Sequence, residues 1–259
     1  EVDAIVENNT PLFEIPERAP SEEEQRIGEI IAEMIPDGAC LQMGIGALPN
    51  VVCQHLKTRA DLGIHTELLS PGLVDLIEAG AVTNRRKKTF PGRTVFTFAL
   101  GNDKMYRLLH DNPSINSHPV DIVNDPRHIA KNPDAVSVNA TLQIDLTGAC
   151  NSESLGKRQY SGSGGQLDFV RGARRSRNGR SIIAARSTAQ KGQVSRIVPA
   201  LTGAVTTPRN DVDTIVTEYG AAHLIGLSGE ARARALIEIA HPNHREELSQ
   251  QAKAINLID

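Results

Sequence analysis

From residue 21 onward the apolar residues alternate between two periods. "QRIGEIIAEMI" places Ile27, Ile30, Ile31 and Ile35 at helical spacing, which gives one apolar face. Ser21 with Glu24 three residues on forms a capping-box pattern at its start, and "PDG" at 36–38 ends it in a turn. "ACLQMGIG" reads as a short strand closing in a glycine loop. Pro49 suits the first turn of the next helix, "PNVVCQHLKTR". "GIHTELL" is the next strand, and Ser70 with Pro71 marks the cap and first position of the helix "GLVDLIEAG". "TVFTFAL" is strand-like, "NDKMYRLLHDNP" helix-like with a proline stop, and "PVDIVNDP" reads as a strand and then a turn.

Strand and helix thus alternate over the first 130 residues. This pattern predicts an α/β fold: an open, mostly parallel sheet with helices on both faces. Such sheets bind ligands beyond the carboxyl ends of their strands. From Ala135 the texture changes. "AVSVNATLQIDLTGACNSES" predicts an extended strand with a hairpin, and "SGSGGQLDFVRGA" a Gly/Ser loop opening a helix. "RSIIAAR", "VSRIVPAL", "GAVTT" and "DTIVTEYG" read as short strands. "SGEARARALIEIA" and "HPNHREELSQQAKAI" read as the last two helices. The first 20 residues are polar, contain proline and have no helical period. Residues 1–24 are therefore taken as a linker or arm, and 25–259 as one α/β unit. No repeat of 20–50 residues is visible.

Composition narrows the function classes. The chain has 259 residues, 39 % hydrophobic and 23 % charged, with net charge −3. Nothing in that balance calls for a nucleic-acid partner, and 3 % aromatics without Trp supply little for stacking on bases. The basic runs "NRRKK" and "RGARRSRNGR" are short and read as solvated loops, although the second could meet a phosphorylated ligand. Cys40, Cys53 and Cys150 form no CxxC pair, which fits a reducing cytoplasm. No apolar run approaches the ~20 residues of a membrane helix. A start at "EVDAIVENN" without Met suggests a fragment or processed product.

Several positions are candidates for chemistry, each with a plainer reading beside it. Gly44, Ile45 and Gly46 lie between a strand and a helix N-terminus, where free N–H groups favour negative charge; a tight turn explains them as well. The tail of G-x-G-x-x-G is absent, so a nicotinamide cofactor is not indicated. Gly162, Gly164 and Gly165 could aim successive N–H groups at an anion, or form a flexible surface loop; no Gly-Lys-Ser/Thr follows. Glu67 sits at a strand end, where a partly desolvated carboxylate can act as a nucleophile; by pattern alone a capping or salt-bridged Glu is favoured. Asn124 could orient a carboxylate or only start the turn before Pro126. His241 and His244 have no visible third ligand, so no metal site is expected. No G-x-S-x-G appears.

Nine segments in order, from "IPDGACLQMGIGALPNVV" and "IHTELLSPGLVDLIEAG" through "FPGRTVFTFALG", "PVDIVNDP", "IDLTGACNSESLG", "YSGSGGQLDFVRGA", "STAQKGQVSRIVP" and "VTEYGAAHLIG" to "RARALIEIAHPNHREEL", resemble the acetyl-CoA hydrolase/transferase group of class I CoA-transferases. The likeness is greatest to the branch that uses 4-hydroxybutyrate. The resemblance implies two similar α/β domains, of which this chain looks like the linker and the second; the first, N-terminal domain is expected as a partner. It implies that Glu67 is the nucleophile, that Asn124 positions it, and that the Ile45 and Gly165 N–H groups form an oxyanion hole. The 162–165 glycine loop, Gly44, Gly46, Lys191 and Arg196 are implied to meet coenzyme A. The implied reaction moves CoA between a short-chain acyl-CoA, such as acetyl-CoA, and a carboxylic acid such as 4-hydroxybutyrate. Acyl-CoA is substrate, no cofactor is permanently bound, and the intact cytoplasmic enzyme is expected to be a homo-oligomer. An acetyl-CoA hydrolase using the same glutamate, or a non-catalytic CoA-binding module, are the alternatives. Arg186, the Leu224–Gly226 tripeptide and His244 depart from the family pattern.

Overall fold

The computed structural model describes residues 3–16 and 18–259; Glu1, Val2 and Glu17 of the expected arm lie outside it. Among the described residues the helices are α1 (Glu22–Glu33), α2 (Ala47–His55), α3 (Pro71–Glu78), α4 (Asp103–Leu109), α5 (Val120–Val123), α6 (Pro126–Lys131), α7 (Gln166–Arg175), α8 (Gly229–Glu238) and α9 (Pro242–Ala254). The central sheet contains β1 (Cys40–Met43), β2 (Gly63–Ile64), β3 (Ala135–Ala140), β4 (Arg180–Ala184), β5 (Thr214–Thr217) and β6 (Gly220–His223).

The sheet order is β6-β5-β4-β3-β1-β2. All pairs are parallel except the β5–β6 hairpin at one edge. The expected open, mostly parallel sheet is therefore present. Its central strands are covered on both faces, which is why "CLQM" is buried at all four positions instead of alternating. One core lies under α1, α2 and α3 and includes Ile27, Ile31, Leu41, Met43 and Leu73. A second includes Ile183, Ile215, Leu236 and Leu248, beneath α8 and α9. A small third cluster, Val95, Val123, Ile129, Ala135, Phe169 and Ala173, seats α5, α6 and α7.

Local signals explain the ends of the elements. Both halves of the capping box are made: the Glu24 N–H donates to Ser21 Oγ, and the Ser21 N–H to Glu24 Oε2 at 2.9 Å. Helix α1 therefore begins at Glu22, inside the stretch assigned to the arm. Gly28 lets α1 approach α2, because a Cβ there would lie 2.4 Å from Val51 Cγ1.

Three expectations need correction. "PVDIVNDP" is not a strand but the single helical turn α5, capped by Pro119. It buries Val123 and leaves Val120 exposed, a placement decided by the third core cluster rather than by β-branched propensity. "GIHTELL" and "TVFTFAL" are not continuous strands. Each breaks after a few residues, giving the separate parallel pair Leu68–Leu69 with Phe98–Ala99. "GAVTT" forms no strand, only an isolated bridge from Thr207 to Cys150.

Candidate active site

The break in "GIHTELL" is what presents Glu67. Strand β2 ends at Ile64, and the chain continues beyond the carboxyl edge of the sheet, pinned by the His65 N–H to Leu41 O and the Thr66 N–H to Val95 O, both at 3.0 Å. The Glu67 carbonyl accepts from the N–H groups of Thr97 and Phe98 at 2.9 and 3.1 Å. The backbone is thus held at each step, and the half-buried side chain projects toward the start of α7.

There the Gly165 N–H donates to Glu67 Oε2 at 3.0 Å. Gly165 is the N-cap of α7, so the carboxylate faces the positive end of that helix. A Cβ on Gly165 would lie 2.6 Å from Glu67 Oε2 and 2.3 Å from Asn124 Nδ2. Glu67, Asn124 and Gly165 therefore converge around the space a side chain would fill, although they come from three distant parts of the sequence. Asn124 is the C-cap of α5 and is buried, with its Oδ1 unpartnered. Glu67 makes no ion pair among the described residues. A salt-bridged role is therefore not seen; a cap on α7 from a distant segment of the same chain is.

The nearby Asp168, in the first turn of α7, has its carboxyl pushed above the usual range by burial and then by the Glu67 charge. The environment of Glu67 is therefore acidic, and the donor that faces its carboxylate is a backbone amide rather than a cation.

The remaining candidates divide into two groups. Ile45 and Gly46 are exposed in the loop before α2, with Gly46 at φ +110°. They line a cavity of about 280 Å³ together with Asn50, Leu68, Ser70 and the arm residues Ile15 and Arg18. The Gly44 N–H is used by the sheet, donating to Val138 O at 2.8 Å. Gly162 and Gly164 are exposed, Gly164 at φ +59°, with open space where a side chain would stand. Lys191 lies elsewhere. It occupies a left-handed turn beside Arg186, Glu218, Tyr219 and His241, in a separate cavity of about 290 Å³. Arg196 donates to the carbonyls of Thr188 and Leu142, which makes it a strut for the loop 188–196. The structure does not bring Arg196 to the Glu67 cluster.

Sequence reasoning missed two buried groups behind the site. The His65 ring is 2 % exposed, and its Nε2 lies 2.8 Å from Val123 O. A carbonyl only accepts, so Nε2 carries the proton. Burial, with Lys87 nearby, lowers its pKa to about 4. Lys87 donates to the carbonyls of Ile64 and Arg93 at 2.7 and 2.6 Å, and burial lowers its pKa to about 8. A lone His in a strand or a Lys in "NRRKK" carries no pattern that predicts burial. The buried thiols are raised, Cys40 to about 11 and Cys53 to about 12, so neither is a nucleophile at neutral pH. Among the described residues no group of three or more His, Cys, Asp or Glu could hold a metal, and no helix is long and apolar enough to cross a membrane.

The site thus sets a strand-end carboxylate of an α/β sheet against the glycine at the start of α7, with a second glycine loop lining a nearby cavity. Residues 101–252 match the acetyl-CoA hydrolase/transferase C-terminal domain, and the chain belongs to that family. It is 53 % identical, over 100 % of its length, to a succinyl-CoA:cyclohexane-1-carboxylate CoA transferase of Geobacter metallireducens, covering 60 % of that protein. It is 50 % identical, over 98 % of its length, to a 4-hydroxybutyrate coenzyme A transferase of Clostridium kluyveri, covering 59 %. The crystal structure of RipA from Yersinia pestis superposes with a TM-score of 0.96 at 63 % identity, over 99 % of this chain and 58 % of that one. The chain thus spans about 60 % of the length of the relatives it matches.

Proposed function

We propose that this chain supplies the nucleophile-bearing part of a CoA-transferase, which moves CoA between a short-chain acyl-CoA and a carboxylic acid. The observation that carries the reading is the Glu67 carboxylate, free of ion pairs among the described residues and held 3.0 Å from the Gly165 N–H beside Asn124.

A Glu67 oxygen attacks the thioester carbonyl. The C–S bond breaks, CoA leaves as thiolate, and an acyl-glutamyl anhydride forms. The thiolate then attacks the glutamyl carbonyl, releasing the acyl group as its carboxylate and leaving a glutamyl-CoA thioester. An incoming acid reverses these steps and departs as its CoA ester. In the second step, charge develops on the glutamyl carbonyl oxygen. The Gly165 N–H already faces that oxygen in the resting state, so its stabilisation needs little reorganisation. The Ile45 N–H, in the glycine loop at the cavity wall, is the second donor of this reading. Asn124 limits the rotation of the carboxylate. Lys191, Arg196 and the exposed 162–164 loop are the places where CoA is expected. The intact protein is expected to carry a further N-terminal domain, to assemble as a homo-oligomer, and to work in the cytoplasm on acyl-CoA as substrate. 4-Hydroxybutyrate is the acceptor to try first.

Acetyl-CoA is supplied to the intact protein with and without 4-hydroxybutyrate. The transferase reading predicts CoA transfer to the acid and little release without it. Free CoA released at a rate indifferent to any acid would instead mark a hydrolase. Glu67→Ala is expected to abolish turnover with a melting temperature close to that of the parent, since the residue is half-buried and, among the described residues, its side chain makes one hydrogen bond.

A further inference from the structure

We infer that His65 is a positioning residue for the glutamate chemistry, because its one buried ring fixes the three segments that bring Glu67, Asn124 and Gly165 together. The inference rests on the proposed role of Glu67. His65 lies two residues before Glu67 on the same extended segment, with its N–H on Leu41 O. Its Nε2–H donates to Val123 O at 2.8 Å, and Val123 is the residue before Asn124. Its ring packs in a T-shaped arrangement with the Phe169 ring, the centroids 6.3 Å apart. Phe169 belongs to the first turn of α7, and its N–H donates to Gly165 O at 3.1 Å.

Helix α5 is a single turn, too short to hold its own direction. What seats it is Val123 in the small third core cluster, the His128 ring on Ile122 O at 3.1 Å, and the His65 bond. Among the described residues, the hydrogen bond that ties α5 directly to the strand end carrying Glu67 is the one from His65. Removing it leaves a buried carbonyl unpaired and frees the α5 turn to shift relative to Glu67. A displacement of about 1 Å between reacting groups can cost up to ~100-fold in rate.

The test uses the intact protein and steady-state kinetics with acetyl-CoA and an acceptor acid. His65→Leu removes the donor, His65→Gln keeps an amide N–H at similar reach, and His65→Asn has the same amide one methylene shorter. The expected result is a fall in kcat of about tenfold or more for His65→Leu and His65→Asn. KM for acetyl-CoA stays near the parent value, and His65→Gln recovers most of kcat. If His65→Leu does not fold, the His65→Gln and His65→Asn pair decides the question. Parent-like kcat in folded His65→Leu overturns the inference, as does His65→Gln no better than His65→Asn. Loss of fold in all three variants also overturns it, in favour of a purely structural histidine. Glu67→Ala runs alongside: activity there refutes the glutamate reading itself, whereas an inactive Glu67→Ala with unaffected His65 variants refutes only the present inference.

Discussion

Glu67 and His65 are two residues apart and face opposite demands. The Glu67 carboxyl is met by a backbone N–H at a helix N-terminus. His65 stays neutral, because burial makes protonation unfavourable. That difference has a measurable sign. The folded-state pKa of about 4 lies below the ordinary 6.5, so between these values the unfolded chain binds more protons than the folded one. Stability from this group therefore falls as pH drops from about 6.5 to 4, by on the order of 3 kcal/mol across the window. Urea unfolding of the parent and of His65→Gln across that range should show a steeper acid-side decline in the parent. Parallel curves would contradict the buried, neutral histidine.

The opposite window belongs to Lys87. Its folded pKa of about 8 lies below the ordinary 10.5, so the cost of burying its charge is present below pH 8 and relieved as pH rises to 10.5. The neutral amine still has two hydrogens for the Ile64 and Arg93 carbonyls. Compared with Lys87→Met, the parent should gain stability over that interval, read as a rising denaturation midpoint. A falling difference would count against this account.

At the scale of elements, the site is made where regular structure stops: after β2, at the end of α5 and before α7. Gly165 shows how little room is left there. Its φ of −88° suits any residue, so Gly165→Ala should fold with normal far-UV dichroism. Yet the new Cβ would stand 2.3 Å from Asn124 Nδ2 and 2.6 Å from Glu67 Oε2. Turnover should fall by about 100-fold or more, by the same positioning argument. Near-parent activity would show that the three groups need not converge. At this scale the sequence was legible where a local signal has a local cause. Ser21 with Glu24, Pro71 after Ser70 and the helical spacing of Ile27, Ile30 and Ile31 in α1 are such signals. "PVDIVNDP" has β-branched residues that resemble a strand, while the decision lies with Val95 and Phe169, distant in sequence. The same holds for His65 and Lys87, whose partners are carbonyls that no side-chain pattern marks.

For the whole molecule, family resemblance supplied what pattern alone did not. Glu67 by itself read more readily as a cap or ion-pair partner, and the structure contains a cap-like bond to α7 that the resemblance reinterprets as a resting nucleophile. The chain covers about 60 % of its relatives' length, and the cavity beside Ile45 and Leu68 is closed on one side by the arm residues Ile15 and Arg18. The isolated chain is therefore expected to turn over far more slowly than the intact protein, measured as CoA transfer per mole. Equal rates would place the complete site within this chain. The central claim is tested most directly by trapping the intermediate. The intact protein is incubated with acetyl-CoA, treated with hydroxylamine or borohydride, digested, and analysed by peptide mass spectrometry. The account predicts modification confined to Glu67 and absent from Glu67→Ala. An unmodified Glu67 peptide from a protein that is turning over would contradict it.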